Sequence, residues 1–141
     1  MLRGILIALT AIALIGCGGP KDGRLKITGE VTFDGEPLKD GYLTLQPLGD
    51  GPSAGARIQD GRFTIDAERG PKPGEYRVSI EAMRETGKMI SIDSAFPEEK
   101  QPQTVQYLPK RYNERSELTQ ELSPESKHFV WNLTSKDPGG K

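Results

Sequence analysis

A single cysteine, a single histidine and a single tryptophan in 141 residues close off several kinds of chemistry at once. Cys17 has no second thiol in the chain, so an intrachain disulfide is excluded. Zinc sites draw on several His or Cys ligands, and His128 stands alone. Ser-His-Asp hydrolysis needs a serine on a strained elbow, and none is expected here. A Cys–His nucleophile pair is not expected either, because the position of Cys17 gives its thiol another task. Neither sign of charge dominates: 19 Lys and Arg face 20 Asp and Glu, without the concentrated basic excess that nucleic acid requires. The aspartates are scattered rather than gathered into a D-x-D-x-D-G loop, which argues against calcium. Glu98-Glu99 falls in a polar stretch and reads as solvated surface rather than a glycosidase pair. No cofactor is implied, and the chain reads as non-enzymatic.

Long apolar runs are scarce too. The one present spans Gly4 to Ile15, interrupted by Thr10, behind Met1-Leu2-Arg3 and ahead of the small residue Gly16. A positive start, an apolar stretch and a small-residue cleavage site make a secretory signal. At about a dozen residues, the run falls short of the roughly 20 that a bilayer core requires. It is therefore expected to be removed rather than to span. Cys17 follows at once, then Gly18-Gly19-Pro20, which continues neither helix nor strand. Leu14-Ile15-Gly16-Cys17 resembles the lipobox of bacterial lipoproteins. That resemblance implies cleavage before Cys17, a diacylglycerol thioether on its sulfur, and a membrane-anchored protein of the cell envelope. Gly18, where an aspartate would signal retention, implies the outer membrane, facing periplasm or cell surface. Two acyl chains hold a protein stably where one binds only marginally. The expected organisation is a signal peptide at 1–16, a lipidated linker at 17–24, one domain at 25–134 and a flexible tail at 135–141.

Asp-Gly punctuates the remainder, at 22–23, 34–35, 40–41, 50–51 and 60–61. Aspartate bonds its own turn backbone and glycine supplies positive φ, so each pair is expected to be a turn. Between them apolar residues alternate: Ile27, Val31 and Phe33; Leu43 and Leu45; Tyr76, Val78, Ile80 and Ala82; Phe129, Trp131 and Leu133. Period two over short runs means half-buried strands. In "ARIQDGRFTID" the Asp60-Gly61 turn suits a type I′ hairpin. It sets Gln59 opposite Arg62, Ile58 opposite Phe63 and Ala56 opposite Ile65, with the four apolar residues on one face. Strands are expected near 25–33, 41–47, 55–59, 62–66, 75–83, 116–122 and 128–134. Seven short strands predict an all-β, antiparallel β-sandwich with Val31, Leu43, Phe63, Val78, Ile80 and Trp131 buried together. Residues 84–113 read as a long, proline-bearing loop. His128 has polar parity and reads as exposed, and Tyr112 as a tyrosine corner before the sixth strand.

The motifs "GEVTFDGEPLKDGYLTLQP", "DGRFTID" and "GPKPGEYRVSI" place Gly29 and Val31, Gly35, Pro37-Leu38, Asp60-Gly61-Arg62-Phe63 and Pro73-Gly74-Glu75-Tyr76-Arg77-Val78 in one order. Together they resemble the carboxypeptidase-regulatory-like domain, a prealbumin (transthyretin)-like, Ig-like sandwich, over about residues 25–83. The tail from "LPKRYNERSELTQEL" to "FVWNL" resembles the second half of small planctomycete-type lipoproteins. Asp40-Gly41 departs from the small apolar pair more common in the family. The resemblance implies an accessory, non-catalytic domain. The expected function is a lipid-anchored envelope protein, held to the membrane through Cys17, whose sandwich binds an envelope protein or glycan or serves structurally. A surface carbohydrate-binding module and an accessory domain for an enzyme on another chain are the alternatives. Loops carry recognition on rigid sandwiches, so the binding surface is sought at Arg84, Lys88, Tyr107, Lys110, Arg111 and Tyr112.

Overall fold

The computed structural model describes residues 22–137; the expected signal segment and Cys17 lie outside the described residues. Ten strands occur: β1 (Ile27–Phe33), β2 (Glu36–Pro37), β3 (Asp40–Pro47), β4 (Ala54–Gln59), β5 (Arg62–Ile65), β6 (Gly74–Glu81), β7 (Met83–Asp93), β8 (Phe96–Gln106), β9 (Thr119–Leu122) and β10 (His128–Leu133). Among the described residues the only helical elements are two 3-10 turns, Ala67–Arg69 and Lys110–Tyr112. No helix there is long and apolar enough to cross a membrane.

The fold is all-β. Its main hydrogen-bonded path runs β10-β1-β5-β4-β3-β6-β9, with β2 hung on β1. The path doubles over between β5 and β4, where Gln59 and Arg62 are the one paired position. β10, β1 and β5 make one leaf; β4, β3, β6 and β9 make the other. The alternation in each strand turns one face inward, as half-buried strands require. Ile27, Val31, Ile65 and Trp131 of the first leaf meet Leu43, Ile58, Val78 and Ile80 of the second in a single core. All six residues expected to be buried together are in it. Trp131 stacks on Phe63 at 5.5 Å and on Phe129 at 5.9 Å between ring centroids. Gly29 makes room for this stack. It lies opposite both Phe63 and Phe129, and a Cβ there would stand 2.6 Å from the Phe63 ring.

Several expectations are corrected. The Asp60-Gly61 turn forms, with φ of 48° and 77°, but its ladder stops after one rung. The pairs Ile58/Phe63 and Ala56/Ile65 are absent: β4 continues in the leaf of β3 and β5 in the leaf of β1. A bare hairpin cannot enclose a core; by parting, the two strands bring their apolar faces to opposite sides of one. The sandwich is not wholly antiparallel, since β10 runs parallel to β1. The chain crosses from the second leaf at β9 to the first at β10 instead of returning by a hairpin. Asp40-Gly41 is not a turn but the start of β3. There the Asp40 carboxylate accepts from Arg57 Nε at 2.8 Å, and a Cβ on Gly41 would lie 2.7 Å from the Glu81 carbonyl. Residues 135–137, expected as flexible tail, are tied down: Ser135 N–H donates to Asp34 Oδ1 at 2.8 Å, and Arg111 pairs with Asp137.

The largest correction concerns residues 84–113. They hold no long loop but most of a separate two-stranded antiparallel ribbon, β7 with β8, followed by the Lys110–Tyr112 turn. Every residue from Met83 to Pro102 is exposed. Strand patterns are legible when one face is buried and the other wet. A ribbon wet on both faces has no reason to alternate.

Candidate docking surface

The ribbon is rooted firmly. The side-chain carbonyl of Gln106 accepts from the N–H groups of Ala82 and Leu108, each at 3.1 Å, and Tyr107 N–H donates to the Ala82 carbonyl. Tyr107 meets Phe33 edge-on at 5.7 Å, and the Arg84 guanidinium lies 5.6 Å from its ring centre. Burial pushes the Tyr107 phenol above its usual range, with Arg84 opposing. Beyond this root, Met83, Met89, Ile92 and Phe96 each expose more than half of their surface. Isolated two-stranded ribbons are marginal in water, and this one carries large apolar side chains that no core covers. The edges are poor templates for a further strand. β8 carries Pro97 and Pro102, and β7 is broken by a bulge around Gly87, whose φ is 79°. What the ribbon presents is therefore its side-chain faces.

The six surface residues expected from sequence divide. Arg84, Lys88 and Tyr107 belong to the ribbon or its root. Lys110 is paired with Glu114 at 3.1 Å on the surface. Arg111 and Tyr112 form a clamp on residues 134–137. The Arg111 guanidinium donates to the carbonyls of Thr134 and Lys136 and pairs with Asp137, while stacking on Tyr112 at 4.7 Å. Tyr112 is buried; its hydroxyl donates to the Thr134 carbonyl and accepts from the Thr134 N–H at 3.1 Å. The tyrosine therefore pins the end of β10 rather than a corner of the sixth strand.

Residues that sequence reasoning missed seal the outer edge of β6 beyond β9. Asn113, the one buried polar side chain among those described, donates to the carbonyls of Ile80, Leu108 and Pro109. Ser116 Oγ donates to the Val78 carbonyl, and Val78 N–H donates to the Leu118 carbonyl. Buried backbone groups need partners, and the 106–118 connection supplies them here. Nothing in residue type marks Asn113 or Ser116 for this; only their position against a half-covered strand does.

The opposite side of the sandwich is different. Where β4 and β5 part, a cleft of about 770 Å³ opens, lined by both strands and by Tyr42, Ser53, Asp66 and Arg69. Arg57 is part of the lining and donates to Asp40 outside it; this hydrogen bond holds the Asp40 carboxyl below its usual range and Arg57 above. Gly51-Pro52-Ser53-Ala54-Gly55 has the G-x-S-x-G spacing that sequence reasoning passed over. Ser53 sits on the approach to a strand, β4, not on a strand-to-helix elbow. His128 is engaged on β10, its Nδ1 3.0 Å from Thr28 Oγ1. Among the described residues no three His, Cys, Asp or Glu side chains converge as metal ligands.

No family model matches the chain, and no curated protein does. Among solved structures it is similar to a 9R-lipoxygenase from Cyanothece PCC8801, with 18% identity and a TM-score of 0.35. That alignment takes in 94% of this chain but 20% of the lipoxygenase, too distant a likeness to carry any argument about activity.

Proposed function

We propose that this is a lipid-anchored protein of the cell envelope, held by acylated Cys17, whose prealbumin-like sandwich is a non-catalytic binding module. The reading rests on one observation above the rest: a rooted ribbon that exposes Met89, Ile92 and Phe96 outside the core. Its charges alternate, with Arg84, Lys88 and Lys100 among Glu85, Asp93, Glu98 and Glu99. Mixed charge around apolar anchors fits a protein surface of the same kind, since interfaces join an apolar centre to a polar rim. A phosphate backbone or anionic membrane wants one sign of charge.

Site-specific photo-crosslinking in intact cells tests this. A photoreactive residue at Met89 or Phe96 is expected to yield a discrete adduct, and one at Gln46, on the exposed face of β3, none. Met89→Ser, Ile92→Ser and Phe96→Ser together, with the photoreactive residue moved to Ser91, should abolish the adduct. Lys88→Ser with Lys100→Ser should only weaken it. Cys17→Ser should leave an uncleaved, unacylated precursor by mass spectrometry. Equal labelling from Gln46 and the ribbon, or a mature chain cut elsewhere and unmodified, overturns the reading.

A further inference from the structure

The cleft between β4 and β5 is made of two strand edges, and among the described residues none lies between them. Which backbone groups face it follows from the ladder. Asp60 N–H donates to the Lys39 carbonyl on the β3 side, and the Gly61 carbonyl accepts from Val31 N–H on the β1 side. Successive residues of a strand point their backbone groups to opposite sides. The even positions of β4 therefore bond β3, and the odd positions of β5 bond β1. Gly55 and Arg57 of β4, and Thr64 of β5, turn their N–H and C=O groups into the cleft. Among the described residues none of the three has a backbone or side-chain hydrogen-bond partner there, since the β4–β5 pairing ends at Gln59 and Arg62. The other half-covered strand, β6, has groups beyond β9 answered by Asn113, Ser116 and Leu118. The part of β6 that β9 leaves uncovered is thus answered, and the facing edges of β4 and β5 are not.

We propose that this cleft is a strand-addition slot for a short, extended, acidic peptide segment. A peptide entering from the wide end would run antiparallel to one wall and parallel to the other, because β4 and β5 are themselves antiparallel. Both of its edges would be paired at once, as in strand addition to an exposed sheet edge. Two facing edges admit one strand and exclude a sheet, so the slot does not invite open-ended aggregation. β4 has six residues and β5 four, which sets the length at about four to six residues; at roughly 3.3 Å per residue, that is a span of about 13–20 Å. Small floor residues, Ala54 and Ala56, leave room for modest apolar side chains at alternate positions. The outward positions meet Arg57, Arg62 and Arg69, against Asp66 as the one carboxylate of the lining. Asp40 and Glu30 answer Arg57 and Arg62 from outside the lining, at 2.8 and 3.7 Å. These are exposed pairs of the kind that contributes little, so a carboxylate on the peptide exchanges with them readily.

The test uses the full chain after signal removal, with a hexapeptide alternating glutamate and valine as the probe. Amide exchange by NMR should show the Arg57 and Thr64 N–H groups gaining protection saturably as peptide is added. Thr64→Pro removes a cleft donor without touching the β1 ladder and should weaken binding about ten-fold, as loss of one strand hydrogen bond does. Thr64→Val keeps the donor and should bind as wild type does, which separates the backbone role from the side chain's. Arg57→Glu should weaken the acidic peptide and improve its lysine–valine counterpart. Thermal midpoints of the variants establish that each is folded. Unchanged exchange at Arg57 and Thr64, equal affinity in Thr64→Pro, or a response only to an oligosaccharide such as cellotetraose overturns the proposal.

Discussion

Gly29 shows how much one missing side chain contributes to this core. Its neighbours in register are Phe63 and Phe129, and the Phe63 ring occupies the space a Cβ would take. Gly29→Ala should therefore destabilise by about 1–3 kcal/mol in urea unfolding, the usual range for overpacking. Ile80, fully buried in β6, should lose on the order of 2–5 kcal/mol when truncated to alanine. A loss below about 0.5 kcal/mol would mean that β6 does not face the core. Asp34 offers a test by pH. Its carboxylate accepts from Ser135 N–H, and this bond holds its pKa below the usual 3.8. A depressed folded pKa means that the contribution is present above 3.8 and is lost as pH falls through the folded value. Asp34→Asn keeps a residue that tolerates the positive φ of this turn. Its thermal midpoint should lie below wild type at neutral pH, and the gap should close under acid. A gap that stays constant with pH would show that the carboxylate charge plays no part.

Among the elements, the ribbon and the 106–118 connection behave oppositely. The ribbon contributes no buried residue between Met83 and Pro102. Replacing residues 86–103 by a short Gly-Ser linker should leave the thermal midpoint nearly unchanged while abolishing the photo-crosslinked adduct. Aggregation of the shortened protein with the adduct retained would instead make the ribbon a guard for a sheet edge. Arg111, by contrast, holds three groups of residues 134–137 at once. Arg111→Ala should release this segment, raising amide exchange of Ser135 and Lys136 well before the core strands respond; uniform exchange across β10 would contradict a local clamp. The ribbon is hidden in the sequence for the same reason that deleting it is tolerated: strands wet on both faces are under no pressure to alternate. The clamp is hidden differently. Arg111 and Tyr112 look like an aromatic–cation surface patch in sequence, and only the arrival of residues 134–137 beside them turns it into an anchor.

For the whole molecule, the two leaves and the open β4/β5 cleft go together with one feature, the parting of β4 and β5 after a single rung. The ribbon exposes apolar side chains, and the cleft exposes backbone groups of β4 and β5. If both are used, the shortened-ribbon variant should still protect Arg57 and Thr64 on addition of the glutamate–valine hexapeptide. Loss of that protection would mean that the ribbon and cleft form one site.

Residue order alone determined the all-β class, the inward faces of β1, β3, β4, β5, β6 and β10, and the two-residue turn at Asp60-Gly61. Each is a local matter of period-two burial or of a positive φ that aspartate and glycine accept. The lipobox resemblance at Cys17 is equally local, four residues behind an apolar run. Pairing partners were decided elsewhere. Whether Ile58 sits across from Phe63 or on the opposing leaf leaves both side chains in the same core, so the alternation is blind to it. The choice falls to the closing of the core: the ladders with β3 and β1 use the other edges of β4 and β5, and parting brings the two apolar faces together. Asp40-Gly41 became strand instead of turn because it pairs with Gln59 and Ile58 of β4. The open cleft, finally, has no counterpart in the order of residues, for it consists of hydrogen bonds that two neighbouring strands do not make.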